Sequence, residues 1–255
     1  MVDLHCHILS GMDDGAASFE ESLAMAETAI ADGITHVVAT PHASPEFRFD
    51  YDRVKRAAAD LQAAVGNRLQ LATGCDFHLS PENIAALKKS PSLFCVGQKD
   101  YLLVEFNEFA IPPAMDQTLY EIQLAGLRPI ITHPERNGIL RAQPERLEKW
   151  IRNGCYGQLT GGSLTGMFGS NIQTTSLDWI ARGLAHFLAS DAHNTTARPH
   201  KLRAAYEVVR KKFGPSKAEA LFVENPLAAF EGRALPHVPD VVDVAPRKRK
   251  RFLFF

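Results

Sequence analysis

Residues 2–42 read VDLHCHILSGMDDGAASFEESLAMAETAIADGITHVVATPH. In the first seven, Val2, Leu4 and Cys6 alternate with Asp3, His5 and His7, the two-residue period of a strand. SFEESLAMAETAIADG then reads as a helix, with Ser18 as N-cap, Glu21 three residues on and Gly33 as the stop. THVVATPH returns to a strand. Strand, helix and strand within 41 residues predict a right-handed βαβ unit with parallel strands.

The same alternation runs outward along the chain. RLQLATGCDF, YLLVEF, RPIITH, YGQLTG and AHFLASD are predicted strands. Residues 50–65, PENIAALKK, PAMDQTLYEIQLAG, 144–153, 170–182 and 199–213 are predicted helices. Seven βα units with short connections in 255 residues define an α/β protein, a barrel or near-barrel rather than two domains. Residues 1–235 form that domain. From 236 the chain changes to a proline-containing tail ending PRKRKRFLFF, expected to lie outside the barrel.

Composition narrows the class. Hydrophobic residues make up 45% and charged residues 22%, as in a soluble globular protein. There is no run of 18 apolar residues, so no membrane-spanning helix is predicted. Four scattered cysteines without a CxxC pair, and no basic-then-apolar leader pattern, predict a reduced, cytosolic protein. Net charge is −1, but Arg247, Lys248, Arg249, Lys250 and Arg251 hold five of the 28 basic residues, leaving 23 against 29 acids in the rest. An acidic body repels phosphate backbones, so nucleic acid is not an expected partner.

Polar residues gather at one end of the predicted strands. His5 and His7, two apart, share a face of the first strand. The next strands end or nearly end in His42, Asp76, Glu105 and His133, and the last in Asp191 and His193. In a barrel the C-terminal strand ends meet on one face, where chemistry is done. With Asp14 from the adjoining loop, five histidines and four carboxylates become candidate ligands, a donor set suited to Mn²⁺, Zn²⁺ or Fe. Nine donors predict two or three ions, and clustered ions suit phosphoryl transfer. Arg136 and Arg198, three and five residues beyond candidate ligands, are candidate phosphate clamps. Asp13 and Glu135 read as supports of neighbouring ligands, and His36, His78, His186, His200 and His237 as surface or structural residues. The glycines of LTGGSLTGMFG suit turns as well as a phosphate cradle. No cysteine is followed by arginine at the sixth position, so a thiolate-phosphatase loop is absent.

DLHCHILSGMDDG, VVATPH, VEF, THPERN, GSLTG and SDAHN together resemble the PHP (polymerase and histidinol phosphatase) superfamily. They are most similar to its bacterial tyrosine-protein phosphatases of the CpsB/CapC/YwqE type, linked to capsule and exopolysaccharide production. The resemblance spans residues 2 to about 232. It implies a distorted (β/α)7 TIM-like barrel, the PHP fold, with a site for two or three transition ions, often manganese, with iron, cobalt or zinc as alternatives. His5 and His7 with Asp191 would hold one ion. Asp14, His42 and His193 would hold a second, Glu105 and His133 would belong to a third, and Asp76 would bridge. Arg136 and Arg198 would hold the substrate phosphate, with Asp14 and His42 as further catalytic groups. Aspartate at 76 stands where that family usually has glutamate.

The implied activity is metal-dependent hydrolysis of protein phosphotyrosine, on a membrane-bound tyrosine autokinase of capsule synthesis. A histidinol-phosphatase-like enzyme would use the same ligands on a small substrate, and a non-catalytic metal-binding module is the third alternative. A nuclease-like role would want a basic groove, which the acidic body lacks. The basic run at 247–251 suits contact with an anionic inner leaflet or an acidic partner.

Overall fold

The computed structural model describes residues 1–242, so the basic run Arg247–Arg251 lies outside the described residues. Nine parallel strands are found there: β1 (Val2–Cys6), β2 (His36–Ala39), β3 (His42–Ala43), β4 (Gln70–Thr73), β5 (Asp76–His78), β6 (Tyr101–Glu105), β7 (Arg128–Thr132), β8 (Tyr156–Thr160) and β9 (Phe187–Ala189). They lie in two sheets, ordered β1-β2-β4 and β3-β5-β6-β7-β8-β9. β2 and β3 are two halves of one wall segment, as are β4 and β5. The first break falls at Pro41, which has no N–H to give a ladder. The second falls at Gly74 and Cys75. The seven predicted strands are therefore seven wall segments.

The wall closes on itself. Asp191 N donates to His5 O at 2.9 Å, and His7 N to Ala192 O at 2.8 Å, joining the end of β9 to β1. The fold is a distorted (β/α)7 barrel. Its interior below the site is a cluster of Val2, Leu4, Tyr101, Leu103, Ile130 and Phe187. Ala228 and Ala229 of the helix Asn225–Glu231 join this cluster and plug that end. Residues 215–231 are helical throughout, an element the sequence reading did not assign. Beyond 235 the chain stays against the body: His237 N donates to Asn225 Oδ1 at 3.0 Å and Val242 N to Arg182 O at 3.0 Å.

One irregularity aims the first two histidines. Leu4 packs into the barrel interior, yet its neighbour His5 and then His7 also face the inner space above. Simple alternation forbids this. Between the pairs Asp3↔Val37 and Cys6↔Ala39, β1 advances three residues against two on β2. This bulge resets the alternation. Cys6 then points outward into packing, as the spacing predicts.

Candidate metal centre

Every predicted ligand reaches the same end of the barrel. His7, Asp14, His42 and His193 form one group, His5, His7 and Asp76 a second, and Asp76, Glu105 and His133 a third. Asp191 joins through Oδ1, 3.6 Å from His5 Nε2 and 3.4 Å from His7 Nε2. His5, Asp76 and Asp191 are buried, whereas half of the Asp14 side chain is exposed at the mouth.

The spacing of the polar atoms tests whether ions fit. Asp76 Oδ2 lies 3.3 Å from His5 Nε2, 3.5 Å from His42 Nδ1 and 3.8 Å from His133 Nε2. Asp14 Oδ1 lies 3.5 Å from both His42 Nε2 and His193 Nε2. Hydrogen bonds between such atoms measure about 2.7–3.2 Å. Donors sharing one ion at about 2.0–2.2 Å stand roughly 3.0–3.5 Å apart. Asp76 Oδ2, Glu105 Oε2 and His42 Nδ1 are also buried without a hydrogen bond. Buried polar atoms without partners are costly, and an ion shared by Asp76 and Glu105 would satisfy both carboxylate oxygens. The residues fit a cluster of divalent ions.

Other side chains hold the ligands. Asp13 accepts a 2.6 Å bond at His7 Nδ1 and another from His42 N at 2.9 Å, as a support of its neighbours. Gly15 lets this loop fold onto β1, because a Cβ there would sit 2.1 Å from His7 O. Gln158 Oε1 lies 2.8 Å from His5 Nδ1, a role the sequence reading missed. Glu135 is buried beneath the β7 turn and accepts from Thr160 N at 2.9 Å and Ser163 Oγ at 2.6 Å. His200 is buried against Asp3 at 3.1 Å, away from the ligands, in the structural role assigned to it. Gly161 packs where a Cβ would meet Leu202, so its place in the glycine-rich stretch follows from packing.

The backbone is bent to serve the site. His133 and Asp191 take φ of 31° and 52°, in the region L-residues avoid. Each such residue costs about 1–3 kcal/mol and persists only where its surroundings hold it. Asp191 is held by its N–H bond to β1. Its Oδ2 receives both guanidinia: Arg198 Nη2 at 2.5 Å and Arg136 Nη1 in closer contact. Arg136 also stacks over the Phe168 ring, 4.7 Å from its centroid.

The field is strongly organised. Burial works against charge on His7, but Asp13 and Asp191 outweigh it and push its pKa up to about 10. Burial, with His7 beside it, pushes His193 down to about 2. Burial and Asp76 oppose charge on Glu105, yet His42, His78 and His133 outweigh them and hold it down to about 2. His78 is thus a correction: assigned to surface or structure, it sits at the site with its Nε2 against Glu105 Oε2. The signal was available, since Asp76 and His78 repeat the two-residue spacing of His5 and His7.

Residues 1–231 match the family described as capsular polysaccharide synthesis, CpsB/CapC. The chain belongs to the CpsB/CapC family. It is 34% identical over 259 residues to the tyrosine-protein phosphatase YwqE of Bacillus subtilis (strain 168), with both chains fully covered. It is 33% identical to the putative tyrosine-protein phosphatase CapC of Staphylococcus aureus, over 94% of this chain and 95% of that one. Its fold matches a structure from work on YwqE of Bacillus subtilis and CpsB of Streptococcus pneumoniae, there described as unique metal-dependent tyrosine phosphatases. That match has a TM-score of 0.87 at 32% identity and covers 96% of this chain and 100% of the other. A lactonase from Listeria monocytogenes, at TM-score 0.56 and 13% identity, shares the fold alone.

Proposed function

We propose that this protein is a metal-dependent phosphomonoesterase that hydrolyses phosphotyrosine in proteins. The observation that carries this reading is the convergence of five imidazoles and four carboxylates at the spacing of shared coordination, with two arginines paired to one of those carboxylates. The named activity of its relatives supports phosphotyrosine over histidinol phosphate. His5, His7, Asp14, His42, Asp76, Glu105, His133, Asp191 and His193 hold two or three divalent ions, with manganese favoured and iron, cobalt or zinc also suited to the donors. When bound, such ions polarise phosphoryl oxygens and make water a nucleophile near neutral pH.

The chain's own groups do the rest. Arg136 and Arg198 present planar forks that take two phosphate oxygens and share the charge that builds in the transition state. Stacking on Phe168 fixes the plane of Arg136 before substrate arrives. Asp14, His42 and His193 would hold the ion nearest the open mouth, beside the half-exposed Asp14. The thiols supply no nucleophile. All four are buried, and burial raises each, Cys95 and Cys155 to about 12.

The substrate is the phosphorylated tail of a tyrosine autokinase in polysaccharide synthesis, a reading supported by the family's description. The site works on the cytoplasmic side, and the run Arg247–Arg251 brings it to an anionic membrane face or an acidic partner. No helix among the described residues is long and apolar enough to cross a membrane. Phosphate release from a phosphotyrosyl peptide and from histidinol phosphate tests the assignment, using stripped protein resupplied with Mn²⁺, Co²⁺ or Zn²⁺. Metal-dependent turnover favouring the peptide is expected. Preference for histidinol phosphate would overturn the substrate, and no turnover with any ion would overturn the enzyme.

A further inference from the structure

His78 stands at the rim of the centre, two residues beyond Asp76 on β5, so both side chains project from the same face. In the register between β5 and β6 it lies opposite Glu105. Its Nε2 contacts Glu105 Oε2, while Glu105 Oε1 faces His133 Nε2 at 3.5 Å. One carboxylate is therefore flanked by an imidazole at each oxygen. Glu105 Oε2 is buried and has no hydrogen-bond partner among the described residues.

His42 also approaches this oxygen, with Nδ1 at 3.4 Å. Its Nε2, however, faces Asp14 in the neighbouring group. A neutral imidazole has one lone pair to give. With His42 engaged through Nε2, its Nδ1 carries the proton and points it at the carboxylates, the usual role of a ligand's second nitrogen. His78 falls in one group only among the described residues, with His42 and Glu105.

We infer that His78 is a metal donor, which shares with Glu105 the coordination of an ion at the Glu105 end of the centre. Asp76, Glu105 and His133 alone supply two carboxylates and one imidazole. His78 falls in an adjoining group that shares Glu105, and imidazole with carboxylate suits Mn²⁺, Fe²⁺ or Zn²⁺. The inference rests on the reading of this cluster as a metal centre.

The test counts ions rather than turnover. Stripped wild type, His78→Gln and His78→Ala are reloaded with Co²⁺ and desalted. Ions per chain are measured by mass spectrometry, and the visible d–d absorption of the bound cobalt is recorded. Both variants should bind one ion fewer at concentrations that saturate wild type, with affinity at that position lowered about 10- to 100-fold. Added imidazole should restore the count to His78→Ala. The glutamine variant keeps an amide N–H for Glu105, so a purely hydrogen-bonding His78 predicts a wild-type count there. A wild-type count and spectrum in both variants would overturn the inference. Failure of wild type to take up Co²⁺ would overturn the centre itself, and the inference with it.

Discussion

Arg136 and Arg198 meet at one carboxylate oxygen, Asp191 Oδ2, while Asp191 Oδ1 faces three histidines. This shared acid sets the arginines beside the ligands, with about a fifth and a quarter of their side chains open to the cleft. Their value lies in charge that appears only in the transition state, so each truncation should lower kcat rather than binding alone. Arg136→Ala or Arg198→Ala should reduce kcat/KM on a phosphotyrosyl peptide by about 100- to 1000-fold. Arg136→Lys should recover little, because an ammonium lacks the fork and the stacking on Phe168. Steady-state kinetics on metal-replete protein, with circular dichroism as the control, reads both. A second residue acts on stability instead. His186 is fully buried, accepts from Gly157 N at 3.2 Å, and is pushed down to about 3, first by burial and then by Lys217. The unfolded chain takes up a proton near pH 6.5 that the folded one refuses, so stability falls as pH drops from there toward 3. Between pH 7 and 5 this amounts to about 2 kcal/mol. His186→Gln should flatten the fall in Tm over that interval by about 4–8 °C, compared with wild type at equal metal loading. Parallel curves for the two proteins would show that His186 does not set the slope.

At the scale of elements, the turn after β7 is pinned from below. Glu135 ties it to the first turn of the helix Gly161–Leu164 through Thr160 N and Ser163 Oγ. Burial pushes its carboxyl up and so disfavours charge there, and an amide keeps the shape and an acceptor oxygen. Glu135→Ala leaves two buried donors without an acceptor and should cost about 2–4 kcal/mol in urea unfolding, while Glu135→Gln should cost under about 1 kcal/mol. Equal losses from both variants would mean that packing, not this pair of bonds, matters. The same turn shows what a sequence can announce. His133 and Arg136 were legible because strand ends in a parallel barrel share one face, and periodicity placed those ends. The strain at His133 was not legible, since a positive φ in a non-glycine residue has no signature in composition. Nor was the bulge in β1, where alternation put Leu4 and His5 on opposite sides. Gln158 escaped because a glutamine on a strand has no chemistry of its own until an imidazole lies 2.8 Å away. His78 escaped through too strict a search for motifs, although its spacing from Asp76 carried the signal. The helices from 215 to 231 were obscured by Pro215, at a helix start where a missing N–H does no harm, and by Pro226, which follows the π-helical turn Ala220–Glu224 inside the helical run.

At the scale of the molecule, the barrel is closed at the point where its carboxylates crowd. The bonds from Asp191 N and His7 N that join the two ends of the wall flank the ligands themselves. Asp76 and Asp191 are fully desolvated there, and both are held well below the usual carboxylate range, Asp76 against its burial by His5, His133 and His42, Asp191 against its burial by His5, His7 and Arg136. Without cations these desolvated charges lean on imidazoles and guanidinia alone. Divalent ions remove the conflict, so they should bind the folded chain far more tightly than the unfolded one. An ion present at 100 times its Kd adds about 2.7 kcal/mol, or about 5–10 °C in Tm for a chain of this size. Chelation at pH 8 should therefore lower Tm by at least that much and preserve the far-ultraviolet spectrum, because the lower core of Val2, Tyr101, Ile130 and Phe187 does not involve the ligands. Returning Mn²⁺ should restore Tm. Asp76→Asn separates charge relief from coordination. It keeps the shape that accepts from Thr132 Oγ1 at 3.3 Å and removes one buried charge. The stripped variant should melt at or above stripped wild type, yet gain less than half as much from Mn²⁺. An equal gain in both proteins would show that Asp76 lies beside the ions without holding them.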